Sequence, residues 1–256
     1  MELQERVDAY WSKRADEFSD ARYRDLHSQN RRQWLGVIRS FLPQTEPIRA
    51  LDLGTGAGFF VFLLDELGCV VTGVDYSQAM VDNALKLREV LGRPGIEFRQ
   101  MDAQSLTLPD GGFDFIFTRN VTWTLPDPAR AYGEMCRVLA PGGRLLNFDA
   151  NYGAAFHQYD AQGLTEAQAV QDDAYAHPAR SLAMLRERND LAWDLPISRR
   201  DRPRWDAEVL ARLGMEHIAT DGDAGRFFPR PEPEDKSWRD PSPLFLVTAQ
   251  KPEGGL

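Results

Sequence analysis

Cysteine is nearly absent from this sequence of 256 residues. Cys69 and Cys136 are the only two, both inside apolar stretches, and no C-x-x-C pair occurs. That excludes a disulfide-stapled scaffold and a cysteine-based zinc site, and it fits free thiols in a reducing compartment. Histidine is scarce as well: His27, His157, His177 and His217 lie far apart without ligand spacing, so no metal is expected. Long cationic runs are missing and the net charge is −9. Nucleic-acid affinity rests on neutralising phosphates, so no nucleic-acid partner is expected, and the short Arg199-Arg200-Asp201-Arg202 cluster reads as a solvated loop. Nowhere do 18 apolar residues run together, and the first six residues carry no apolar signal region. Neither a membrane span nor a secretory leader is expected. The expectation is a cytoplasmic globular protein, monomer or homodimer. Its 43% hydrophobic residues suffice for one large α/β domain.

Glycine, by contrast, is concentrated where it has a mechanical use. Arg49 to Leu53 is a short apolar run with Asp52 near its end. It opens into Gly54, Gly56 and Gly58, then into an apolar, helix-like segment, Phe59 to Leu67. That reads as strand, tight turn and helix, with glycine where a backbone must approach something that is not protein. Cys69 to Asp75 reads as a second buried strand ending on a carboxylate. Gly54 and Asp75 are 21 positions apart, near the roughly 20 at which an acid meets a ribose hydroxyl in a β-α-β nucleotide unit. The spacing is G-x-G-x-G. A dinucleotide fingerprint needs its third glycine at position 59, which is Phe59, so an NAD(P)-dependent oxidoreductase is the poorer reading.

Asp52-Leu53-Gly54-Thr55-Gly56-Ala57-Gly58, followed by Asp75, resembles the class I S-adenosylmethionine-dependent methyltransferases. Three further stretches continue the resemblance in order: Met101-Asp102-Ala103, Phe113-Asp114-Phe115-Ile116, and Arg137 to Leu145 with its Pro141-Gly142-Gly143 turn. The subset most alike is the small-molecule enzymes typified by the quinone-biosynthesis C-methyltransferases. The resemblance implies a doubly wound, mostly parallel seven-stranded sheet that ends in an antiparallel pair. It also implies S-adenosyl-L-methionine as cofactor, S-adenosyl-L-homocysteine as product, and in-line methyl transfer to a small-molecule acceptor. A non-catalytic cofactor-binding or regulatory protein is the alternative.

The implied cofactor residues follow the motifs. Gly54, Thr55, Gly56 and Gly58 form the loop, and the N-terminus of the following helix favours the cofactor carboxylate. Asp75 accepts the ribose hydroxyls and Asp102 the adenine amino group, with Tyr76, Met80 and Ala103 as apolar walls. Tyr10 lies along the methionine end, in a Tyr10-Trp11-Ser12-Lys13-Arg14-Ala15 segment that resembles the family's opening. Asn120 and Val121 leave the fourth strand near the methyl, while Asp52 supports the loop. Substrate-facing candidates are Tyr23, His27, Trp34, Trp123 and Asn151. General-base candidates are His157, Asp149 and Tyr152, although an amine or thiolate acceptor needs no base.

Around this core the chain divides into four parts. Residues 1–45 read as a helical cap of two amphipathic helices, with Val7, Tyr10, Trp11 and Phe18 near helical spacing. Residues 48–149 form the cofactor-binding core. Its expected strands are 48–53, 69–75, 96–101, 113–118 and 143–149, and its helices 57–67, 77–91 and 127–139. Ser77 and Asp127 are placed as N-caps, and Gly92 with Pro94 as a stop. Residues 150–205 read as a lid insertion with helices at 165–176 and 179–188. Residues 206–256 close the fold with a helix at 205–213 and strands at 215–220 and 243–251, joined by a long connection over 221–242.

Overall fold

The central strands, 49–53 and 113–119, are buried on both faces because helices cover both. The computed structural model describes residues 2–44, 46–153, 182–228 and 243–254. Strands β1 (Arg49–Leu53), β2 (Val70–Asp75), β3 (Glu97–Gln100), β4 (Phe113–Arg119) and β5 (Leu139–Asp149) run parallel. Strands β6 (Glu216–Asp221) and β7 (Phe245–Gln250) close one edge antiparallel. The order is β3-β2-β1-β4-β5-β7-β6, the expected seven-stranded, mostly parallel sheet. β1 lies between β2 and β4, where the winding reverses. Open α/β sheets bind ligands beyond the carboxyl ends of the strands at that point.

The described helices are α1 (Leu3–Ser12), α2 (Ala15–Leu26), α3 (Gln29–Phe41), α4 (Phe59–Glu66), α5 (Gln78–Val90), α6 (Pro128–Val138), α7 (Leu182–Asp194) and α8 (Arg204–Arg212). Three helices, not two, precede β1. Ser28 restarts the chain there, its hydroxyl accepting from the Asn30 N–H at 3.1 Å. α4 begins at Phe59 because Gly58 is left-handed at φ +89°. β5 begins at Leu139, four residues early, with Gly142 at φ +76° inside its irregular start. Asp127 caps α6 through the Arg130 N–H at 3.0 Å, with Pro128 in the first turn, as expected. The expected helix at 165–176 lies outside the described residues, and α7 continues to Asp194, beyond the expected Arg188. Among the described residues, no helix is long and apolar enough to cross a membrane. Cys69 and Cys136 are free and buried, and burial pushes both thiols up to about 11.

Two core clusters pack on the sheet. One joins α3, α4 and α5 to it; the other joins α6 and α8. Trp34 belongs to the first and is 1% exposed. Its ring lies 4.9 Å from Phe60 and 5.0 Å from Phe148, both edge-on. Trp34 is therefore core and not substrate-facing: α3 packs its apolar stripe directly on the sheet. Trp34→Ala should cost about 3–5 kcal/mol of stability. In urea denaturation the midpoint should fall with the slope preserved.

Candidate functional site

The carboxyl ends of β1, β2 and β4 surround a cavity of about 190 Å³, roofed by α1 and α2. Asp75 closes β2 at its edge. Its Oδ2 accepts from the Gly56 N–H at 2.7 Å and its Oδ1 from the Ser77 N–H at 3.0 Å, so one carboxylate ties two turns together. The Gly54 and Thr55 amides donate to the Val74 carbonyl at 2.8 and 2.9 Å, and Gly58 donates to Thr55 at 2.9 Å. Burial pushes the Asp75 carboxyl up to about 6, against the pull of the Ser77 and Gly56 amides. Asp52 is buried one strand away and does not line the cavity. Burial pushes it up to about 7; Thr55 pulls it back, and the charge of Asp75 adds to the rise.

The glycine loop has an unexpected set of close neighbours. A β-carbon on Gly54 (φ +72°) would sit 2.2 Å from a Val121 methyl, and one on Gly56 (φ +53°) 2.9 Å from the Phe18 ring. The close approach that glycine permits is thus made by the protein's own side chains. Gly54, Thr55 and Gly56 still line the cavity, whereas Gly58 turns toward Phe62 and Phe98.

Most of the other expected cofactor residues come together there. Tyr10, Tyr76, Met80, Asp102, Ala103, Asn120 and Val121 all line the cavity. Asp102 uses Oδ1 to accept from the Gln104 backbone and side-chain amides at 2.8 and 3.0 Å. Asn120 is left-handed at φ +56°, and its Oδ1 is buried without a partner. Trp123 and Tyr152 line the same space with ring centroids 4.9 Å apart, and the Trp123 Nε1 is buried without a partner. Ser77 begins α5 but does not cap it with its side chain. Its hydroxyl meets that of Ser12 at 2.8 Å instead, fastening α1 to the β2–α5 turn.

Other candidates lie elsewhere. Tyr23 and His27 pack on each other, with ring centroids 4.7 Å apart, outside the cavity lining. Asn151 is also outside it, its amide donating to the Arg200 carbonyl at 3.2 Å. His157 lies outside the described residues. Sequence reasoning missed Asp8, Arg14, Glu17, Arg119 and Arg188 as lining residues. For the first three a signal existed: they share the helical stripe of Val7, Tyr10, Trp11 and Phe18, which was read for its aromatics alone.

Asp149 is not placed to act as a general base. It is fully buried and held by Arg202 Nη1 at 3.2 Å, the Trp123 N–H at 2.9 Å, the Ala150 N–H at 2.8 Å and the Thr122 hydroxyl. Arg202 also pairs with Asp206 at 2.7 Å. Asp206 accepts from the Tyr132 hydroxyl at 2.6 Å, and Tyr132 in turn accepts from Asn147 at 2.7 Å. Burial raises the Asp149 carboxyl, while Arg202 and Thr122 hold it back. Burial alone would lower Arg202, but Asp149 and Asp206 lift it above its ordinary value. The network braces the turn that carries Trp123 into the cavity. Arg202→Met leaves two acids buried without a counter-charge and should cost about 3–5 kcal/mol, read by chemical denaturation.

The family model described as a methyltransferase domain matches residues 51–147. A demethylmenaquinone methyltransferase of Thermus thermophilus is 39% identical over 102 residues, covering 39% of this chain and 46% of that protein. The chain spans about half the length of the curated relatives it matches. Among solved structures, a Haloferax volcanii methyltransferase bound to the Trm112 activator superposes with a TM-score of 0.62 at 20% identity, over 94% of this chain and 97% of that one. A Haemonchus contortus phosphoethanolamine N-methyltransferase, solved with S-adenosylhomocysteine, gives 0.61 at 19% identity over 86% and 52%. These likenesses between structures speak to the fold, while the sequence match covers the strand-end side of the cavity and not its roof from α1 and α2. Sheet order and crevice are those the sequence leads one to expect, and residues 51–147 are similar to the methyltransferase domain.

Proposed function

We propose that this protein transfers a methyl group from S-adenosylmethionine to a small-molecule acceptor. One observation carries the reading: Asp75, at the end of β2, faces the same cavity as the glycine loop and Asp102. An ionised carboxylate has about four acceptor positions. The Gly56 and Ser77 amides occupy two of those on Asp75, leaving two for a ribose diol. Asp102 keeps Oδ2 for the adenine amino group, since Gln104 uses only Oδ1. Met80 and Ala103 are buried and apolar, suited to the faces of the base.

The cofactor supplies a sulfonium whose methyl is already activated for displacement. The residues supply position and exclusion of water. Helices α1 and α2 act as the cap, and α7 contributes Arg188 to the lining from the lid segment. Trp11, Trp123 and Tyr152 form the aromatic wall on the acceptor side. With Asp149 committed to Arg202, the general-base candidates that remain are Tyr152 and His157, the latter outside the described residues, and an amine or thiolate acceptor needs none. The name of the Thermus relative and the sequence match at 51–147 support this assignment over non-catalytic binding.

Calorimetry with S-adenosylhomocysteine tests the cofactor assignment. Asp75→Ala should weaken binding about 10- to 100-fold through loss of charge-assisted hydrogen bonds, and equal binding by both proteins would refute the role of Asp75. The pH dependence has a definite sign. Asp75 in the free protein titrates near 6, and hydroxyl donors favour its ionised form. Affinity should be flat from about pH 7 to 9 and fall up to about tenfold per unit below 6, a fall that Asp75→Asn abolishes. Transfer of a labelled methyl across small amines, thiols, phenols and carbon acids tests catalysis. Stoichiometric cofactor binding with no transfer to any of them would favour the non-catalytic alternative.

A further inference from the structure

Two polar atoms on the β4 side of the cavity bind nothing within the protein. Asn120 directly follows β4 and Trp123 lies three residues on, and both line the cavity. Asn120 Oδ1 and Trp123 Nε1 are each buried without a partner, and Trp123 as a whole is 5% exposed. The first atom only accepts hydrogen bonds and the second only donates. Leaving either unsatisfied in a buried position costs free energy. Both backbones are already fastened: the Asn120 N–H donates to the Phe148 carbonyl at 2.8 Å, and the Trp123 N–H to Asp149 at 2.9 Å. Asn120 is also left-handed at φ +56°, a conformation that few residues other than glycine hold. An acceptor atom and a donor atom, held apart from each other in one cavity wall, suit a ligand that offers one of each.

Sheet order puts that wall on the acceptor side. Asp75 and Asp102, read here as the adenosine contacts, stand beyond β2 and β3, and β4 lies across β1 from them. A Val121 methyl packs against Gly54, so the segment carrying Asn120 lies beside the loop that leaves β1. The chemistry of the two atoms then narrows the acceptor. An amide oxygen is no base at neutral pH, so it can hold a proton but not remove one. A hydroxyl or thiol held there keeps its only proton and stays a poor nucleophile. A phenolate or thiolate has no proton to be held, and a carbon acid has no hydrogen-bond donor. A neutral amine offers an N–H and a lone pair together. Resting on the methyl-transfer reading of this cavity, we propose that the acceptor is a neutral amine on a planar molecule that also carries a carbonyl-type oxygen. Asn120 Oδ1 holds the N–H, Trp123 Nε1 donates to the oxygen, and the Trp123 and Tyr152 rings wall the planar body. The nitrogen lone pair forms the new N–C bond as the methyl leaves sulfur, which keeps the bonding pair. The surplus proton passes from the methylammonium product to water after release.

Matched probes test this: the aminoacetophenones, their hydroxy and mercapto counterparts, and the ethylanilines, in which a methylene replaces the carbonyl. Labelled methyl should pass to the amines and not to the hydroxy or mercapto compounds. On protein saturated with S-adenosylhomocysteine, calorimetry should show the best aminoacetophenone binding about 3- to 10-fold tighter than its ethylaniline, a preference that Trp123→Phe abolishes. Asn120→Gly keeps the left-handed backbone and should weaken that amine's binding and its kcat/KM about 10- to 100-fold, while S-adenosylhomocysteine affinity stays within about twofold. Asn120→Asp, which keeps an acceptor oxygen, should recover part of the loss. Transfer to hydroxy or mercapto probes with every amine untouched overturns the proposal. So does an Asn120→Gly protein whose loss falls on S-adenosylhomocysteine instead, and a carbonyl preference that survives in Trp123→Phe overturns the Trp123 contact. No transfer to these probes or to the wider panel of amines, thiols, phenols and carbon acids, with S-adenosylhomocysteine still bound, sinks the methyl-transfer reading itself, an outcome separate from the others.

Discussion

Two backbone amides converge on the Asp75 carboxylate, and the shape of the crevice depends on that convergence. The Gly56 N–H fixes the loop that leaves β1, and the Ser77 N–H fixes the turn that leaves β2. Those are the two parallel strands whose following helices must diverge for a cleft to exist between them. The arrangement works against desolvation, because a carboxylate taken from water resists ionisation. Asp52 makes the environment harsher. It pairs in register with Gly73, two residues before Asp75, and its carboxyl is buried. Gly73 explains how α4 comes so close. A β-carbon there would lie 2.8 Å from Val61 and 2.9 Å from Phe98, so only glycine lets the helix settle on the strand. The start of α4 and the end of β2 are thereby brought to one point.

The opposite wall is braced by parts of the chain that are distant in sequence. Arg202 reaches Asp149 across 53 residues and Thr122 across 80. Tyr132 and Asn147 complete the network from α6 and β5. One cation is shared by two buried acids, so every polar contact in the cluster matters to its solvation. The Trp123 N–H is one of those contacts. The indole that walls the cavity is thus oriented by an ion pair that does not itself line the cavity.

What could be read from the sequence was what is local. The β1–loop–α4–β2 pattern, the acids at the ends of β2 and β3, and the cap of α6 each follow from a few neighbouring residues, and each was placed to within a few positions. What failed concerned which side a residue faces and what stands opposite. Trp34 and Tyr23 both sit on amphipathic helices, yet one enters the aromatic core and the other is 43% exposed. Periodicity cannot assign a helix face to a cavity when both the sheet and the cavity are apolar. Asp149 was nominated for its residue type and its strand end, but its partner Arg202 lies in a stretch that reads as solvated loop.

These corrections bear on how the chemistry can proceed. With Asp149 locked in an ion pair, the carboxylates left in the described cavity lining are Asp8, Glu17, Asp75 and Asp102. Two of the polar atoms buried there without partners are the Trp123 Nε1 donor and the Asn120 Oδ1 acceptor. Neither group removes a proton at neutral pH, but both can fix an orientation by hydrogen bonding. Such a site would gain most of its rate from holding two reactants in line, where effective molarities reach about 10⁵–10⁸ M. On the proposed reading Tyr152 is the general-base candidate left in the described lining, and an acceptor that arrives already nucleophilic would need none.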